Sequence, residues 1–166
     1  SFGFNTYFDN GGKLEIKGVE LALDARLIAG DFSWLIGGSV TNAQTKIKSL
    51  EFLHPDAQHI ITPIPGGEMI TSADNPVNAY YGYQTNGIIS AAEAGTVTGP
   101  NGIPMQAGDM KYKDFDGNNI IDESDKTIIG DPNPSLFGGL FTSFAYKGFE
   151  LSVNFTYSLG NDVYNY

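Results

Sequence analysis

Two stretches of the chain alternate apolar and polar residues with a period of two. In Val19-Glu20-Leu21-Ala22-Leu23-Asp24-Ala25-Arg26-Leu27 the odd positions are Val, Leu, Leu, Ala and Leu, and the even ones are Glu, Ala, Asp and Arg. From Phe149 to Leu159 every odd position is apolar or aromatic and every even one is polar. Successive strand side chains point to opposite faces, so each run predicts a strand with one greasy and one wet face. Each run has a partner. Phe32–Lys48 places Phe32, Trp34, Ile36, Gly38 and Val40 on one face and Ser33, Ser39 and Thr41 on the other, where Leu35 is an exception. Leu136–Tyr146 precedes the last run with poorer alternation, because Phe137 and Phe141 lie opposite Leu136, Leu140 and Phe144. The links Ala29-Gly30-Asp31 and Lys147-Gly148 are as short and Gly-bearing as hairpin turns require. Helical periodicity is nearly absent; Ser90–Ala94 is the best stretch, and Gly95 ends it.

The pattern therefore predicts two hairpins, roughly 14–48 and 136–160, around a loop-like middle. That middle holds every proline of the chain: Pro55, Pro63, Pro65, Pro76, Pro100, Pro104, Pro132 and Pro134. So long a connection is uncommon in a compact soluble domain unless it is functional or has structure of its own. Tight turns at one end and long excursions at the other are the asymmetry of transmembrane β-barrels. Strands of about ten residues with aromatic residues near their ends (Phe32, Trp34, Tyr146, Phe149, Tyr157) fit the same architecture. A soluble β-sandwich also alternates, but its strands usually run only about 5–6 residues.

Composition narrows the function classes. Nine basic against nineteen acidic residues give 9 − 19 = −10, a surface that repels phosphate backbones, so no nucleic-acid partner is expected. The absence of Cys removes disulfides, Cys-ligated zinc and thiol nucleophiles. No basic-then-apolar leader and no apolar run near about 18 residues occurs within these 166 residues, so neither a signal peptide nor a spanning helix is expected among them. Charged residues are 17 % of the chain, with 21 glycines; that suits an all-β chain.

The sharpest local motif is Asp114-Phe115-Asp116-Gly117-Asn118-Asn119-Ile120-Ile121-Asp122-Glu123-Ser124-Asp125. Read as a twelve-residue loop, it places the oxygens of Asp114, Asp116, Asn118, Asp122 and Asp125 at positions 1, 3, 5, 9 and 12. The Ile120 carbonyl falls at position 7, with Ile121 as an apolar anchor. Calcium takes six to eight hard oxygens, which alternating side chains on a wound loop can aim at one point. Position 6 is Asn119 instead of Gly, which tolerates a left-handed backbone, and position 12 is Asp instead of Glu. No flanking helices are expected. The competing reading is an Asx-rich turn held by its own side chains.

The surroundings of this loop carry a resemblance. Gly108–Asp114 leads in, and Thr127–Pro134 leads out to Phe137-Gly138-Gly139. Tyr146–Ser152 and Gly160–Asn165 follow, and Glu15–Leu21, Asp31–Trp34 and Tyr81–Ile88 lie upstream. In this order they resemble the C-terminal barrel region of SusC/RagA-type TonB-dependent outer-membrane transporters of Bacteroidetes, over most of residues 12–166. Ile16 stands where that family commonly has Asn. The resemblance implies barrels of about 22 strands with an N-terminal plug. It also implies import of oligosaccharides or peptides powered by TonB, and a SusD-like surface lipoprotein as lid. On it, the chain is expected to be a fragment, without plug or TonB box. Barrel strands are expected in 1–48, a long extracellular region with the calcium-like loop in 49–135, and further, truncated barrel strands in 136–166. The apolar faces would touch outer-membrane lipid, and Glu20, Asp24, Arg26, Glu150, Ser152 and Asn154 would face the lumen.

Other chemistry is sparse. Glu51, His54 and His59 form the only imidazole-rich cluster, and ordinary loop polarity explains them. No nucleophile elbow, P-loop or dinucleotide fingerprint occurs, so no enzyme is expected. Tyr80, Tyr81 and Tyr83 in an extracellular loop could stack on sugar rings; packing within the loop or against the lid is the plainer reading. The expectation is thus an all-β, antiparallel fragment of about four barrel strands, with Ca²⁺ as the one candidate cofactor. The alternative is a soluble calcium-stabilised β module for carbohydrate binding or adhesion.

Overall fold

In a computed structural model, the structure describes residues 11–50 and 59–165. These form ten strands: β1 (Gly12–Ile28), β2 (Phe32–Leu50), β3 (His59–Ile64), β4 (Gly67–Ser72), β5 (Ala79–Tyr83), β6 (Thr85–Ile88), β7 (Met110–Tyr112), β8 (Lys126–Gly130), β9 (Leu136–Tyr146) and β10 (Phe149–Leu159). One turn of 3₁₀ helix spans Glu123–Asp125, and no α-helix occurs among the described residues. Glu51 and His54 lie outside the described residues, and His59 opens β3 exposed.

The chain divides into two compact units. The first is built on one antiparallel sheet in the order β1-β2-β9-β10. Lys147 (φ +42°) and Gly148 (φ +87°) make the β9–β10 turn; positive φ at both central positions is what the twist of a two-residue hairpin demands. Residues directly opposed across strands share a face. One row reads Leu23, Gly38, Leu140 and Phe155, and the next row on that face reads Ala25, Ile36, Thr142 and Val153. Between them, on the other face, lie Asp24, Gly37, Phe141 and Asn154. The two ribbons predicted from alternation therefore lie edge to edge with their apolar sides in register. A sandwich would stack them face to face; here the apolar side stays open, with Val19 75 %, Phe155 62 % and Phe149 82 % exposed.

The apolar side has a defined height. It runs over Val19–Ile28 in β1, Phe32–Val40 in β2, and the eleven residues each of β9 and β10. A barrel strand crosses a bilayer in about 9–11 residues. β1 and β2 are 17 and 19 residues long, and beyond the band their alternation changes phase at Gly18. On the face that was apolar come Glu15 and Lys17, paired with Lys46 and Gln44; on the other come Leu14 and Ile16, paired with Ile47 and Thr45. Ile47 is buried, and its backbone exchanges hydrogen bonds with Asp74 and Asn75.

Aromatic side chains gather at the tight-turn end. The Phe144 ring stacks on Trp34 (5.5 Å between centroids) and Phe32 (6.3 Å). Tyr146 opposes both Phe32 and Phe149. Two close approaches fix the sheet. A Cβ on Gly37 would lie 2.3 Å from Phe141 Cε1, so that ring needs the bare backbone of its neighbour. A Cβ on Gly138 would lie 2.7 Å from the Tyr157 hydroxyl, which donates to the Ser39 carbonyl (3.0 Å).

The middle of the chain is not the uninterrupted loop that its prolines imply. It holds six strands of three to six residues, in a sheet ordered β3-β4-β5-β8 and a β6-β7 pair. Such strands are too short to alternate recognisably. In the second unit the buried side chains are Ile70, Ala79, Ile89, Met105, Ile121 and Asp125. Ser90–Ala94 begins as a helix would, with the Ser90 amide and hydroxyl donating to Glu93 (3.0 and 2.7 Å). It ends at once because Gly95 takes φ +77° and donates instead to the Met105 carbonyl (2.8 Å).

Candidate functional site

The Asp114–Asp125 loop hangs on a small hairpin. Thr98 donates to the Asn119 carbonyl and accepts from the Ile121 amide (2.9 and 2.8 Å), and Ile121 is 1 % exposed. Gly117 and Asn119 take φ of +76° and +63°, so Asn119 supplies the left-handed backbone that position 6 needs. This winding brings carboxylate oxygens of Asp114, Asp116 and Asp125 within 4.8 Å of one another. Asp125 is 0 % exposed and accepts from the amides of Phe115 (2.7 Å) and Asp122 (3.0 Å).

The other oxygens of the motif are engaged locally. Asn118 Oδ1 accepts from Ile120 (2.6 Å), and Asp122 caps the 3₁₀ turn by accepting from the Ser124 amide (2.9 Å). Asp122 is therefore not among the three that converge. The Asn119 amide, and after it that of Gly117, hold the Asp114 carboxyl below the usual carboxylate range. Ser124 does the same for Asp122. Three carboxyl groups at one point suit a hard divalent cation, and they offer three of the six to eight oxygens calcium takes. The same amide bonds are those of an Asx-rich turn.

A second feature of this unit is an aromatic pocket of about 480 Å³. Tyr80, Tyr81 and Tyr83 come to it from β5, and Glu68 pairs with Tyr81 across β4. Tyr112 tilts against Tyr83 (5.5 Å) and Tyr164 against Tyr80 (5.7 Å). Lys126 bonds Glu68 (2.8 Å) and Glu123 (2.9 Å) with its ammonium 5.5 Å from the Tyr83 ring. Burial works against that ammonium, yet the two glutamates hold its pKa above the ordinary lysine value. Burial raises the Tyr81 and Tyr83 phenols, so both remain neutral donors near neutral pH. Flat rings with a fixed ion pair at their edge can cover an apolar sugar face and bond its hydroxyls. The consecutive tyrosines of β5 were legible in the chain. Tyr112 and Tyr164 were not, since only tertiary folding brings them there.

On the first unit, the face opposite the apolar band carries Glu20, Asp24, Arg26, Glu150, Ser152 and Asn154. Ser152 donates to Ser143 (3.1 Å), and Ser143 to Glu150 (3.3 Å). Phe137 and Phe141 share this face, as their phase in the sequence indicates. The Phe141 ring lies beside Gly37.

No family model matches the chain. Curated relatives do. TonB-dependent receptor P3 of Formosa agariphila is 28 % identical across 99 % of this chain. TonB-dependent receptor P26 of the same organism is 28 % identical across 98 %. TonB-dependent receptor SusC of Bacteroides thetaiotaomicron is 29 % identical across 93 %. The chain spans 17 %, 16 % and 15 % of their respective lengths. It therefore resembles TonB-dependent receptors along nearly all its length, and corresponds to about one-sixth of each.

Proposed function

We propose that this chain forms part of the wall and rim of a TonB-dependent outer-membrane transporter that imports oligosaccharides or peptides beneath a SusD-like surface lipoprotein. The observation that carries this reading is the continuous apolar face of β1, β2, β9 and β10, about as tall as a bilayer's hydrocarbon core. The similarity to TonB-dependent receptors across nearly the whole chain supports it independently.

On this reading the apolar side meets outer-membrane lipid, and Glu20, Asp24, Arg26, Glu150, Ser152 and Asn154 face water in the lumen, where charges keep their hydration. The tight turns face the periplasm, and residues 49–135 lie outside the cell. TonB acts through a plug supplied by other parts of the parent protein. Tyr80, Tyr81 and Tyr83 contact passing ligand, and a structural Ca²⁺ sits among Asp114, Asp116 and Asp125. Asn118, Asp122 and the Ile120 carbonyl complete its shell directly or through water. The segment binds and guides; it is not an enzyme.

The test is uptake of labelled oligosaccharides and peptides by cells lacking the parent gene. Import of one of these classes is expected to fail in that strain and in a strain without TonB. Import of both classes at undiminished rates without the parent gene would contradict the proposal.

A further inference from the structure

The phase change at Gly18 puts charge immediately beyond the apolar band. On β1 the outward position next to Val19 is Lys17, one pleat repeat or about 7 Å along the strand. On β2, Lys46 pairs with Glu15, and Lys48 is the extra residue at the bulge where Lys13 and Leu14 change register. Glu15 is gripped by Lys17 (3.0 Å) and Lys48 (3.1 Å), and Lys46 is exposed beside them. Three lysines against one glutamate leave a net +2, in a chain whose nine basic residues face nineteen acids. This cluster sits on the same side as the lipid-facing residues, at the end away from both tight turns.

We infer that Lys17, Lys46 and Lys48 form a seat for the phosphate-bearing headgroup of a lipid in the leaflet on that side. This rests on the membrane reading above. An apolar band ends where acyl chains end, and the next groups outward meet headgroups. Lysine stems lie along apolar surface while their ammonium groups reach such anions. Each lysine near an anionic membrane surface contributes about 1 kcal/mol, which is about fivefold in retention. Glu15 does not cancel the site. It pre-orients Lys17 and Lys48 side by side and tempers their charge.

The experiment uses the full-length parent protein reconstituted in phosphatidylcholine vesicles, with or without a minor fraction of phosphorylated glycolipid or its dephosphorylated form. Mass spectrometry counts the lipid retained after extraction. The unaltered protein is expected to enrich the phosphorylated form severalfold over the dephosphorylated one. Lys17→Gln with Lys46→Gln and Lys48→Gln should abolish that enrichment, and Glu15→Gln should raise it. Equal retention of both lipids, or no change in either variant, overturns the inference while leaving the barrel reading standing. Failure of the unaltered protein to insert even into phosphatidylcholine alone overturns both.

Discussion

The indole N–H of Trp34 donates to the hydroxyl of Thr142 over 2.8 Å, and that hydroxyl donates in turn to the Leu35 carbonyl (3.2 Å). Both side chains belong to the apolar face of the sheet. If that face meets lipid as proposed, the donor has no water to turn to, and an unmade bond there costs its full desolvation. The pair closes that account across two strands 108 residues apart in sequence. Thr142→Val should therefore destabilise the folded full-length protein by about 1–3 kcal/mol, and Thr142→Ser by much less. Denaturant titration of the vesicle-inserted protein reads the difference.

The contact of Phe141 with Gly37 gives a second outcome. A methyl group on Gly37 would overlap the ring, so Gly37→Ala is expected to cost about 1–3 kcal/mol. Combining it with Phe141→Leu should recover part of that cost. A strictly additive double mutant, measured in the same titration, would show that the two residues do not share space.

The two faces of β10 should respond oppositely to charge. Val153→Arg, on the proposed lipid side, is expected to cost about 2–4 kcal/mol near the midplane. Asn154→Arg, one residue on and on the other side, should cost close to nothing. Equal penalties would remove the distinction between the faces.

Glu93 supplies a pH-dependent prediction. Its bond with Lys111, followed by bonds from the Ser90 amide and hydroxyl, lowers its pKa from 4.5 to about 2. A carboxyl with a depressed folded pKa contributes stability above its unfolded value and loses it as pH falls through the folded one. The turn at Ser90–Glu93 should thus hold from neutral pH to about 4.5 and loosen between about 4.5 and 2. Hydrogen-exchange protection of the Ser90 amide follows this, and Glu93→Gln should flatten the profile.

The loop of Asp114 should report calcium by calorimetry on the intact protein. Heat of binding is expected, and Asp114→Ala with Asp116→Ala should abolish it. No heat in the unaltered protein would leave the amide bonds of the turn as the whole explanation of the motif.

Much of the large sheet was legible in the chain because one face of each strand is mainly apolar over the height of the band, so a period-two signal survives. Phe149–Leu159 shows it without interruption and Val19–Leu27 with Ala22 as its exception, and even Leu35, Phe137 and Phe141 fall on the faces their phase assigns. The extra length of β1 was less plain, since the alternation inverts at Gly18 and Leu14 and Ile16 then read out of step. Strands β3 to β8 gave no signal; three to six residues bounded by Pro, Gly and Asn cannot display a period. In the calcium-like loop the spacing singled out five acidic or amide side chains. Only the fold shows that the carboxylates of Asp114, Asp116 and Asp125 converge and that Asp122 instead caps the 3₁₀ turn.

The most direct test of the membrane assignment is a nitroxide scan along Phe149–Leu159 in the full-length protein in outer-membrane vesicles. Leu151, Val153 and Phe155 should be open to dissolved oxygen and shielded from a water-soluble relaxing agent, with Ser152, Asn154 and Thr156 reversed. A period-two exchange of accessibility across all six positions is the predicted result. Uniform access of the water-soluble agent to both sets would contradict a lipid-facing wall.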